Sequence, residues 1–279
     1  MKRRQFLSAV GGLAIASRVQ AQRDQPLRVA LVLGGGGCRG YGHLGVLKVL
    51  ERNGLKPDLI VGSSAGSLVG ALHASGMSSE AIEKLGARLS PNMVRDWIFP
   101  RLGIFSGAGI ARFVREQIGE RSIESLQVRF AAVATDLRSG ELVVLDRGEV
   151  GIAVQASSSA PGLLEPVRIG SRLLVDGNLA SPVPVSAARR LGARRVVAVD
   201  VTFPPEQADL DDPFDALYQG FSILTRKLAI EDRAKADVMI EPPIPEHRAM
   251  SPETIRHHIE AGERAAREAL PRLVPLFRG

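Results

Sequence analysis

The chain has 279 residues, of which 45% are hydrophobic and 4% aromatic, and its formal net charge is +6. This length and hydrophobic content suffice for one α/β domain with a full core. Residues 1–21 hold four basic and no acidic residues, and without them 32 basic residues face 30 acidic ones. With so little excess charge and so few aromatic side chains to stack on bases, the composition disfavours a nucleic-acid partner.

The first 21 residues have the features of an export signal. Lys2-Arg3-Arg4 precedes an apolar run from Phe6 to Ala16, and Val19-Gln20-Ala21 offers a small-residue cleavage site. The paired arginines resemble those of a twin-arginine signal. We therefore expect export to a bacterial periplasm. The alternatives are a cytoplasmic protein with a basic tail and one that is membrane-associated through this segment, whose apolar run is too short to span a bilayer.

Two strand-turn-helix units follow in succession. The apolar run from Leu27 to Leu33 predicts a strand buried on both faces, and four glycines separate it from a helix predicted from Tyr41 to Arg52. The second unit has a strand from Asp58 to Val61, a glycine turn and a helix that stops at Gly76. Such units are typical of α/β folds, in which chemistry takes place at the carboxyl ends of the strands.

The remaining sequence continues to alternate between helices and strands. We predict helices at 79–90, 109–118, 185–191, 214–234 and from 252 onwards, a hairpin of 130–135 with 141–145, and strands at 173–175, 195–201 and 238–241. The aromatic segment around Trp97, Phe99 and Phe105 has the composition either of an acyl-chain pocket or of ordinary core. Residues 203–213 are rich in proline and acidic residues, which predicts a solvated loop or the edge of a lid.

The second turn, Gly62-Ser63-Ser64-Ala65-Gly66, has the spacing of a nucleophile elbow. A tight strand-to-helix turn exposes the hydroxyl of its central residue, Ser64, while the flanking glycines leave room for substrate. The start of the following helix adds a partial positive charge that stabilises developing negative charge. The simpler alternative is a serine that caps an ordinary helix. The position between a strand and an apolar-striped helix favours a nucleophile.

The first turn has two possible interpretations. Its Gly35-x-Gly37-x-x-Gly40 spacing fits a dinucleotide-binding loop, but that fold requires an acidic residue at the far end of the second strand, and Asp58 stands at the near end. Because Ser64 follows the far end, the loop is better explained as an oxyanion hole made of unobstructed backbone N–H groups. The candidates for this hole are Gly35, Gly36, Gly37, Cys38, Arg39 and Gly40.

Two side chains within this loop have several possible roles. Cys38 is the only cysteine, so an internal disulfide is excluded, and we expect a small buried residue rather than a reactive thiol. Arg39 either braces the loop, binds an anionic substrate or lies at the surface.

A nucleophilic serine needs a base, and the residues leave two solutions open. Among the histidines after Ser64, only His247 is placed as a triad member would be. His73 is held on the elbow's own helix, and His257 and His258 are expected on the surface of the last helix. The other solution is a carboxylate that acts on the serine directly. Asp136, Asp176 and Asp200 each end a predicted strand, and the sequence pattern does not separate them.

Four motifs in this order resemble those of the patatin-like phospholipase family, particularly its compact bacterial members. They are the GGGGCRG loop, the GSSAG elbow, the segment Ala156-Ser157-Ser158-Ser159-Ala160-Pro161 and the late Asp176-Gly177, and the resemblance covers residues 27–270 as a single catalytic domain. It implies a three-layer α/β/α fold with a mostly parallel central sheet. It also implies that Ser64 is the nucleophile, Asp176 the proton acceptor of a dyad, and the glycine loop the oxyanion hole. Asn178 stands where the family usually has glycine or alanine.

The expected function is therefore serine-dependent hydrolysis of a lipid acyl ester through an acyl-Ser64 intermediate, without a metal or another cofactor. The expected partners are a lipid or other acyl-ester substrate and a membrane surface, and the oligomeric state is open. Two alternatives from other classes are a nucleotide-binding protein that uses the glycine loop and a family member that binds lipid without cleaving it.

Overall fold

The computed structural model describes residues 27–86, 102–202, 211, 213–244 and 251–279. The strands are β1 Val29–Leu33, β2 Leu59–Ser63, β3 Gly103–Phe105, β4 Arg129–Asp136, β5 Leu142–Leu145, β6 Gly162–Leu164, β7 Val167–Ile169, β8 Arg172–Asp176, β9 Arg195–Val199 and β10 Val238–Ile240. The α-helices are α1 Tyr41–Arg52, α2 Ala65–Ala74, α3 Ser79–Gly86, α4 Ala108–Ile118, α5 Val150–Ser157, α6 Val185–Arg190, α7 Pro213–Arg233 and α8 Pro252–Arg278. The predicted export signal lies outside the described residues, as do Trp97, Phe99, His247 and most of 203–213.

A mostly parallel sheet forms the centre of the fold, as expected. Its strand order is β10-β9-β1-β2-β4-β8-β7, and β5 also pairs with β4. The strands from β10 to β4 run parallel, whereas β8, β7 and β5 are antiparallel to their neighbours. The carboxyl ends of β1, β2 and β4 therefore meet at one edge, and we call it the carboxyl edge.

Helices cover both faces of the sheet, because alternate residues of its strands point to opposite sides. Val29, Leu31 and Leu33 of β1 belong to one buried cluster together with side chains of α1, α2, α4, α5 and α8. Ala30 and Val32 belong to a second cluster with side chains of α6 and one residue of α7. The sheet with helices on its two faces confirms the three-layer α/β/α expectation.

Most predicted elements are present within one or two residues of their expected ends, but α5 was not predicted. Six of its eight residues are apolar or glycine, and seven of the eight are buried. A helix that is buried almost all round lacks the polar face that marks an amphipathic helix in a sequence. The segment that contains Ser157 therefore looked like a small-residue loop.

Candidate active site

Ser64 sits between β2 and α2 in a backbone conformation that few side chains adopt. Its φ is 48° and its ψ is −120°, and among the described residues no other non-glycine residue has a positive φ. The Ser64 amide donates to Ser157 Oγ at 3.0 Å, and the Ser67 amide donates to the Ser64 carbonyl at 2.8 Å. Strained backbone of this kind persists where neighbouring contacts hold it, and it is concentrated at functional sites.

Glycine is required at Gly66 because α2 starts directly against β1. A methyl group on Gly66 would lie 2.1 Å from the carbonyl oxygen of Leu33, and one on Gly62 would lie 2.5 Å from the backbone of Ser67. Atoms of other residues do not approach this closely, so a side chain at either position would displace the turn. The motif Gly62-Ser63-Ser64-Ala65-Gly66 thus forms the tight strand-to-helix turn that its spacing predicted.

The Asp176 carboxylate lies beside the Ser64 hydroxyl. Ser64 Oγ donates to Asp176 Oδ2 at 2.7 Å, and the Asn178 amide donates to Asp176 Oδ1 at 2.8 Å. The backbone of Asp176 is held as well, since its amide donates to the Ser159 carbonyl at 2.9 Å and its carbonyl accepts from Thr135 Oγ1 at 2.8 Å. Each oxygen of the carboxylate therefore has a defined partner, which fixes the direction of the side chain.

Burial changes the acidity of this carboxyl group. Asp176 is 7% exposed and Ser64 8% exposed. Loss of hydration raises the pKa of Asp176 to about 6, although the hydrogen bonds from Asn178 and Ser64 stabilise its charge and oppose the rise. A carboxylate with a raised pKa is a stronger base than an exposed aspartate, and it stays ionised at neutral pH.

The register of the antiparallel strand β8 brings Asp176 to the height of Ser64. In β4, Val133 is the partner of Ser63 on one side, and the next residue, Ala134, is the partner of Asp176 on the other. Because β8 runs toward the sheet from beyond the carboxyl edge, its last residue meets the end of β2. The two side chains come together although they are 112 positions apart.

The other two strand-end aspartates have different partners. Asp136 Oδ1 accepts from the Arg138 amide at 2.9 Å, which stabilises the turn after β4. Asp200 Oδ2 forms ion pairs with Arg233 at 2.8 Å and with Arg226 at 3.3 Å, so this carboxylate anchors α7. Neither carboxylate has a hydrogen bond to Ser64 among the described residues.

The glycine loop lies against the elbow and has free backbone donors. The Gly35 amide donates to the Pro182 carbonyl at 2.9 Å and the Arg39 amide to the Gly36 carbonyl at 3.0 Å, so these two N–H groups are occupied. Gly40 belongs to a 3₁₀ turn, Gly37–Gly40, and a methyl group on it would lie 2.7 Å from Ala65 Cβ. Within the described part of the chain, the amides of Gly36, Gly37 and Cys38 have no backbone acceptor.

Arg39 braces this loop, one of the roles that its position allowed. Its side chain is buried, its Nε donates to the Val201 carbonyl at 2.8 Å, and its Nη1 donates to the Ile244 carbonyl. The guanidinium thereby ties the loop to the segments that follow β9 and β10. The prediction for Cys38 is wrong, because its side chain is exposed. Cys38 is exposed because it belongs to the 3₁₀ turn at the carboxyl edge and not to the layer between sheet and helices.

His258 also departs from expectation, since it is 1% exposed and not a surface residue. Helix α8 packs closely along α1, where a methyl group on Gly45 would lie 2.0 Å from the Ile259 carbonyl. This close approach buries His258, whose Nδ1 lies 3.3 Å from the Cys38 carbonyl. His257, one position earlier, is exposed as predicted.

Two further contacts at the site leave no recognisable pattern in the sequence. His43 is fully buried beneath the glycine loop, with its Nε2 2.7 Å from the Gly34 carbonyl, and burial lowers the pKa of His43 to about 4. The imidazole is therefore neutral at physiological pH and donates to that carbonyl. Asn178 accepts from Ser63 Oγ at 3.1 Å and lies against Gly35, where a methyl group would come within 1.9 Å of its Oδ1. The residue that departs from the usual family pattern thus links the elbow, the acid and the loop.

A sequence profile of the Patatin-like phospholipase family matches residues 31–189, which include the elbow, the glycine loop and Asp176. The chain belongs to the patatin-like phospholipase family. Among its relatives is an uncharacterized NTE family protein of Mycobacterium tuberculosis, 36% identical over 176 residues, which are 62% of this chain and 49% of that one. The human patatin-like phospholipase domain-containing protein 6 is 33% identical over 222 residues, which are 76% of this chain and 16% of that protein.

A solved structure has a similar fold, and a further relative has a similar sequence. The crystal structure of VipD from Legionella pneumophila superposes on this chain with a TM-score of 0.58 at 15% sequence identity. The superposition covers 89% of this chain and 67% of the VipD chain. The Lysophospholipase NTE1 of Debaryomyces hansenii is 33% identical over 198 residues, which are 66% of this chain and 13% of that protein. The chain thus spans about half or less of the length of these curated relatives.

The described residues contain neither a membrane-spanning helix nor a group of metal-binding side chains. None of the helices among them combines the length and the apolar character that crossing a bilayer requires. In the same part of the chain, no three His, Cys, Asp or Glu side chains are grouped closely enough to bind a metal ion.

Proposed function

We propose that the protein is a serine-dependent lipid acyl hydrolase in which Ser64 and Asp176 form a catalytic dyad. The observation that carries the proposal is the 2.7 Å hydrogen bond from Ser64 Oγ to Asp176 Oδ2 at a strained elbow. Among the curated relatives, one is named a lysophospholipase, which supports a lysophospholipid or phospholipid as the substrate class. The ester hydrolysed is of the phospholipase A or lysophospholipase type.

The reaction begins when Asp176 accepts the proton of the Ser64 hydroxyl as Ser64 Oγ attacks the ester carbonyl carbon. The carbonyl oxygen becomes an oxyanion, which the free amides of Gly36, Gly37 and Cys38 stabilise; one such donor is typically worth roughly 100- to 1000-fold in rate. Asp176 then returns the proton to the leaving alcohol, and an acyl-Ser64 ester remains. In the second half, Asp176 takes a proton from water as the water attacks the acyl carbon, and it then gives this proton to Ser64 Oγ as the bond to the acyl group breaks and the fatty acid leaves.

The test is hydrolysis of a short-chain aryl ester and of a lysophospholipid by two pairs of variants. Ser64→Ala and Asp176→Asn are each expected to lower kcat by about 10⁴-fold or more, because removal of a nucleophile or its base abolishes the covalent route. The controls are Ser125→Ala, an exposed serine, and Asp136→Asn, another strand-end aspartate; both are expected to retain most of the activity. Normal turnover by Ser64→Ala would refute the proposal, and normal turnover by Asp176→Asn would refute the dyad.

The same preparations separate the two alternative functions. A lipid-binding protein without activity would leave Ser64 unlabelled by a fluorophosphonate, whereas the proposal requires labelling that peptide mapping assigns to Ser64. A nucleotide-binding protein would be stabilised by about 2.7 kcal/mol when NAD or ATP is present at 100 times its Kd. We expect no such shift, because Asp58 is occupied with the backbone amides of Arg28 and Val29, both at 2.9 Å.

We also propose that the protein contacts a membrane surface. Of the eight large hydrophobic side chains that are exposed among the described residues, five are on α7: Leu217, Ile223, Leu224, Leu228 and Ile230. Several large apolar side chains exposed on one helix are uncommon on a protein surface without a partner. The basic, apolar N-terminal segment supports the further proposal that the protein is exported, which fractionation of cells that express residues 1–279 would test.

A further inference from the structure

The side chain of Asn178 joins two turns of the site that the sheet does not pair directly. Ser64 follows β2 and Asp176 ends β8, and β4 lies between these two strands. Among the described residues, two hydrogen bonds link the turns after β2 and β8, and the first is the 2.7 Å bond from Ser64 to Asp176. The second runs from Ser63 Oγ to Asn178 Oδ1 at 3.1 Å. The relative position of nucleophile and base therefore depends on β4 and on these two contacts.

The hydroxyl of Ser63 depends on Asn178. Ser63 is the last residue of β2, and its side chain is fully buried. In the part of the chain that the structure describes, Asn178 Oδ1 is the single hydrogen-bond partner of this hydroxyl. A buried hydroxyl that loses its partner is destabilised, because water cannot replace it. The two turns approach closely because Gly177 has no side chain; a methyl group there would lie 2.8 Å from Ser63 Oγ and 2.4 Å from the Val133 carbonyl oxygen.

The amide of Asn178 also lies against the glycine loop. A methyl group on Gly35 would come within 1.9 Å of Asn178 Oδ1 and 2.5 Å of its Nδ2, so the amide fills the space that Gly35 leaves. The Gly35 amide donates to the Pro182 carbonyl at 2.9 Å, which fixes the backbone on this side. The side chain of Asn178 is therefore confined between the loop and Ser63, and its direction is set by both.

The two links between the turns behave differently during the proposed reaction. In the free enzyme, the Ser64 hydroxyl donates to Asp176, but in acyl-Ser64 the same oxygen belongs to an ester and has no proton to donate. The direct bond is then lost, whereas the bond from Ser63 to Asn178 is unaffected. Asp176 must stay beside the acyl group in this state, because it accepts the proton of the attacking water.

We propose that Asn178 is a positioning residue for deacylation, because its hydrogen bond with Ser63 holds Asp176 beside acyl-Ser64 after the direct bond is lost. The inference rests on the proposed function, since it requires an acyl-Ser64 intermediate. It gives a role to the position at which this chain departs from the usual family pattern. Neither glycine nor alanine at that position could accept a hydrogen bond from Ser63.

The experiment measures the two halves of the reaction in single turnovers of 4-nitrophenyl butyrate with enzyme in excess. Release of 4-nitrophenol gives the rate constant of acylation, and the rise and decay of acyl-Ser64, followed by mass spectrometry of acid-quenched samples, gives that of deacylation. Asn178→Ala is expected to slow deacylation by about tenfold or more, because a misplaced base is less effective, and to slow acylation less. Equal loss in both halves, or unchanged deacylation, would overturn the proposal.

Ser63→Ala tests the same contact from the other side. It removes only the donor hydroxyl, so it is expected to slow deacylation selectively, as Asn178→Ala does. The double variant should be no slower than the slower single variant, because both substitutions remove one interaction. Effects that multiply would show that the two residues act independently and would refute the link.

Asn53→Ala is the matched control. The Nδ2 of Asn53 donates to the Val49 carbonyl at 2.8 Å near the end of α1, away from the two turns. Its loss is expected to lower Tm and to leave both rate constants unchanged. A selective loss of deacylation in this variant would mean that reduced stability, and not the contact with Ser63, explains the effect.

The outcomes separate this inference from the proposed function. If acyl-Ser64 forms in the wild type and the variants slow both halves equally, the dyad stands and this inference fails. If no acyl-Ser64 forms in the wild type, or if Ser64→Ala keeps its activity, the proposed function itself fails. Should Asn178→Ala fold poorly, Ser63→Ala provides the test by itself, because it changes a single atom of the contact.

Discussion

At the scale of single residues, the carboxyl group of Asp176 has to serve two requirements that oppose each other. It must be ionised to accept a proton, and it must be poorly hydrated to be a useful base. Its burial satisfies the second requirement and raises the pKa to about 6. The hydrogen bonds from Asn178 and Ser64 keep that pKa below neutrality, so both requirements are met at physiological pH.

The first prediction concerns the dependence of activity on pH. Because the ionised form of Asp176 is the active one, kcat/KM should fall as the pH decreases through about 6, by about tenfold per pH unit below it. His43 remains neutral across this range, since its pKa is about 4. A profile that is flat from pH 8 to pH 5 would show that a different group accepts the proton.

The second prediction concerns stability, where the same pKa acts in the opposite direction. The folded-state pKa of Asp176 is raised above its unfolded value of 3.8, so the folded state favours the protonated acid. The buried charge therefore costs stability above about pH 6, and this cost disappears below about pH 4. Asp176→Asn should raise Tm relative to wild type at pH 8 and lose that advantage at pH 4. An equal Tm difference at both values would contradict the desolvation argument.

At the scale of secondary-structure elements, the site residues that lie in local patterns could be predicted from the sequence, and the one that depends on strand pairing could not. Ser64 and the glycine loop could be found because each lies within a local strand-turn-helix pattern. The choice of Asp176 over Asp136 and Asp200 could not be made from the residues alone. It depends on the pairing of antiparallel β8 with β4, a contact between distant segments that leaves no local pattern.

The burial of single side chains was also not predictable from the sequence. His258 was expected on the surface of the last helix together with His257, yet the stretch of α8 around it faces α1 at close range. Cys38 was expected to be buried because a free cysteine usually behaves as a small apolar side chain, yet the 3₁₀ turn leaves it exposed. In each case, the packing of one element against another decides the burial, and a single sequence does not contain that packing.

The third prediction tests the close approach of α2 to β1. Gly66→Ala should destabilise the fold by several kcal/mol, because the new methyl group would meet the Leu33 carbonyl oxygen. Gly220→Ala, on the exposed side of α7 with no atom near the new methyl group, is the matched control. It should stabilise the helix by about 0.5–1 kcal/mol. Urea unfolding measures both, and equal effects would refute the steric explanation.

At the scale of the whole molecule, the exposed leucines at the start of α7 lie on the same side as Ser64. Strand β9 is parallel to β1 and ends beside Leu33, so Asp200, the residue after β9, lies at the carboxyl edge. The ion pair of Arg226 with Asp200 places the preceding turns of α7, with Leu217 and Leu224, beyond that edge. These two side chains are 66% and 60% exposed.

The fourth prediction follows from this placement. Leu217→Ser combined with Leu224→Ser should weaken binding to phosphatidylcholine vesicles by tenfold or more, since each leucine buried in lipid contributes about 1.5 kcal/mol or more. Hydrolysis of a soluble aryl ester should not change. Ile230→Ser is the control, because this side chain is also 60% exposed but lies near the other end of the helix. Equal loss of binding in the control would mean that α7 does not present its first turns to the lipid.

The antiparallel entry of β8 also has a consequence for the order in which the protein is made. Ribosomal synthesis adds Ser64 and its elbow 112 residues before Asp176. A nascent chain can therefore contain the residues of β1, β2 and α2 while the base does not yet exist. Under the proposed mechanism, the growing chain cannot cleave the lipids around it until β8 has paired with β4. Assembly of the sheet is thus the event that switches the nucleophile on.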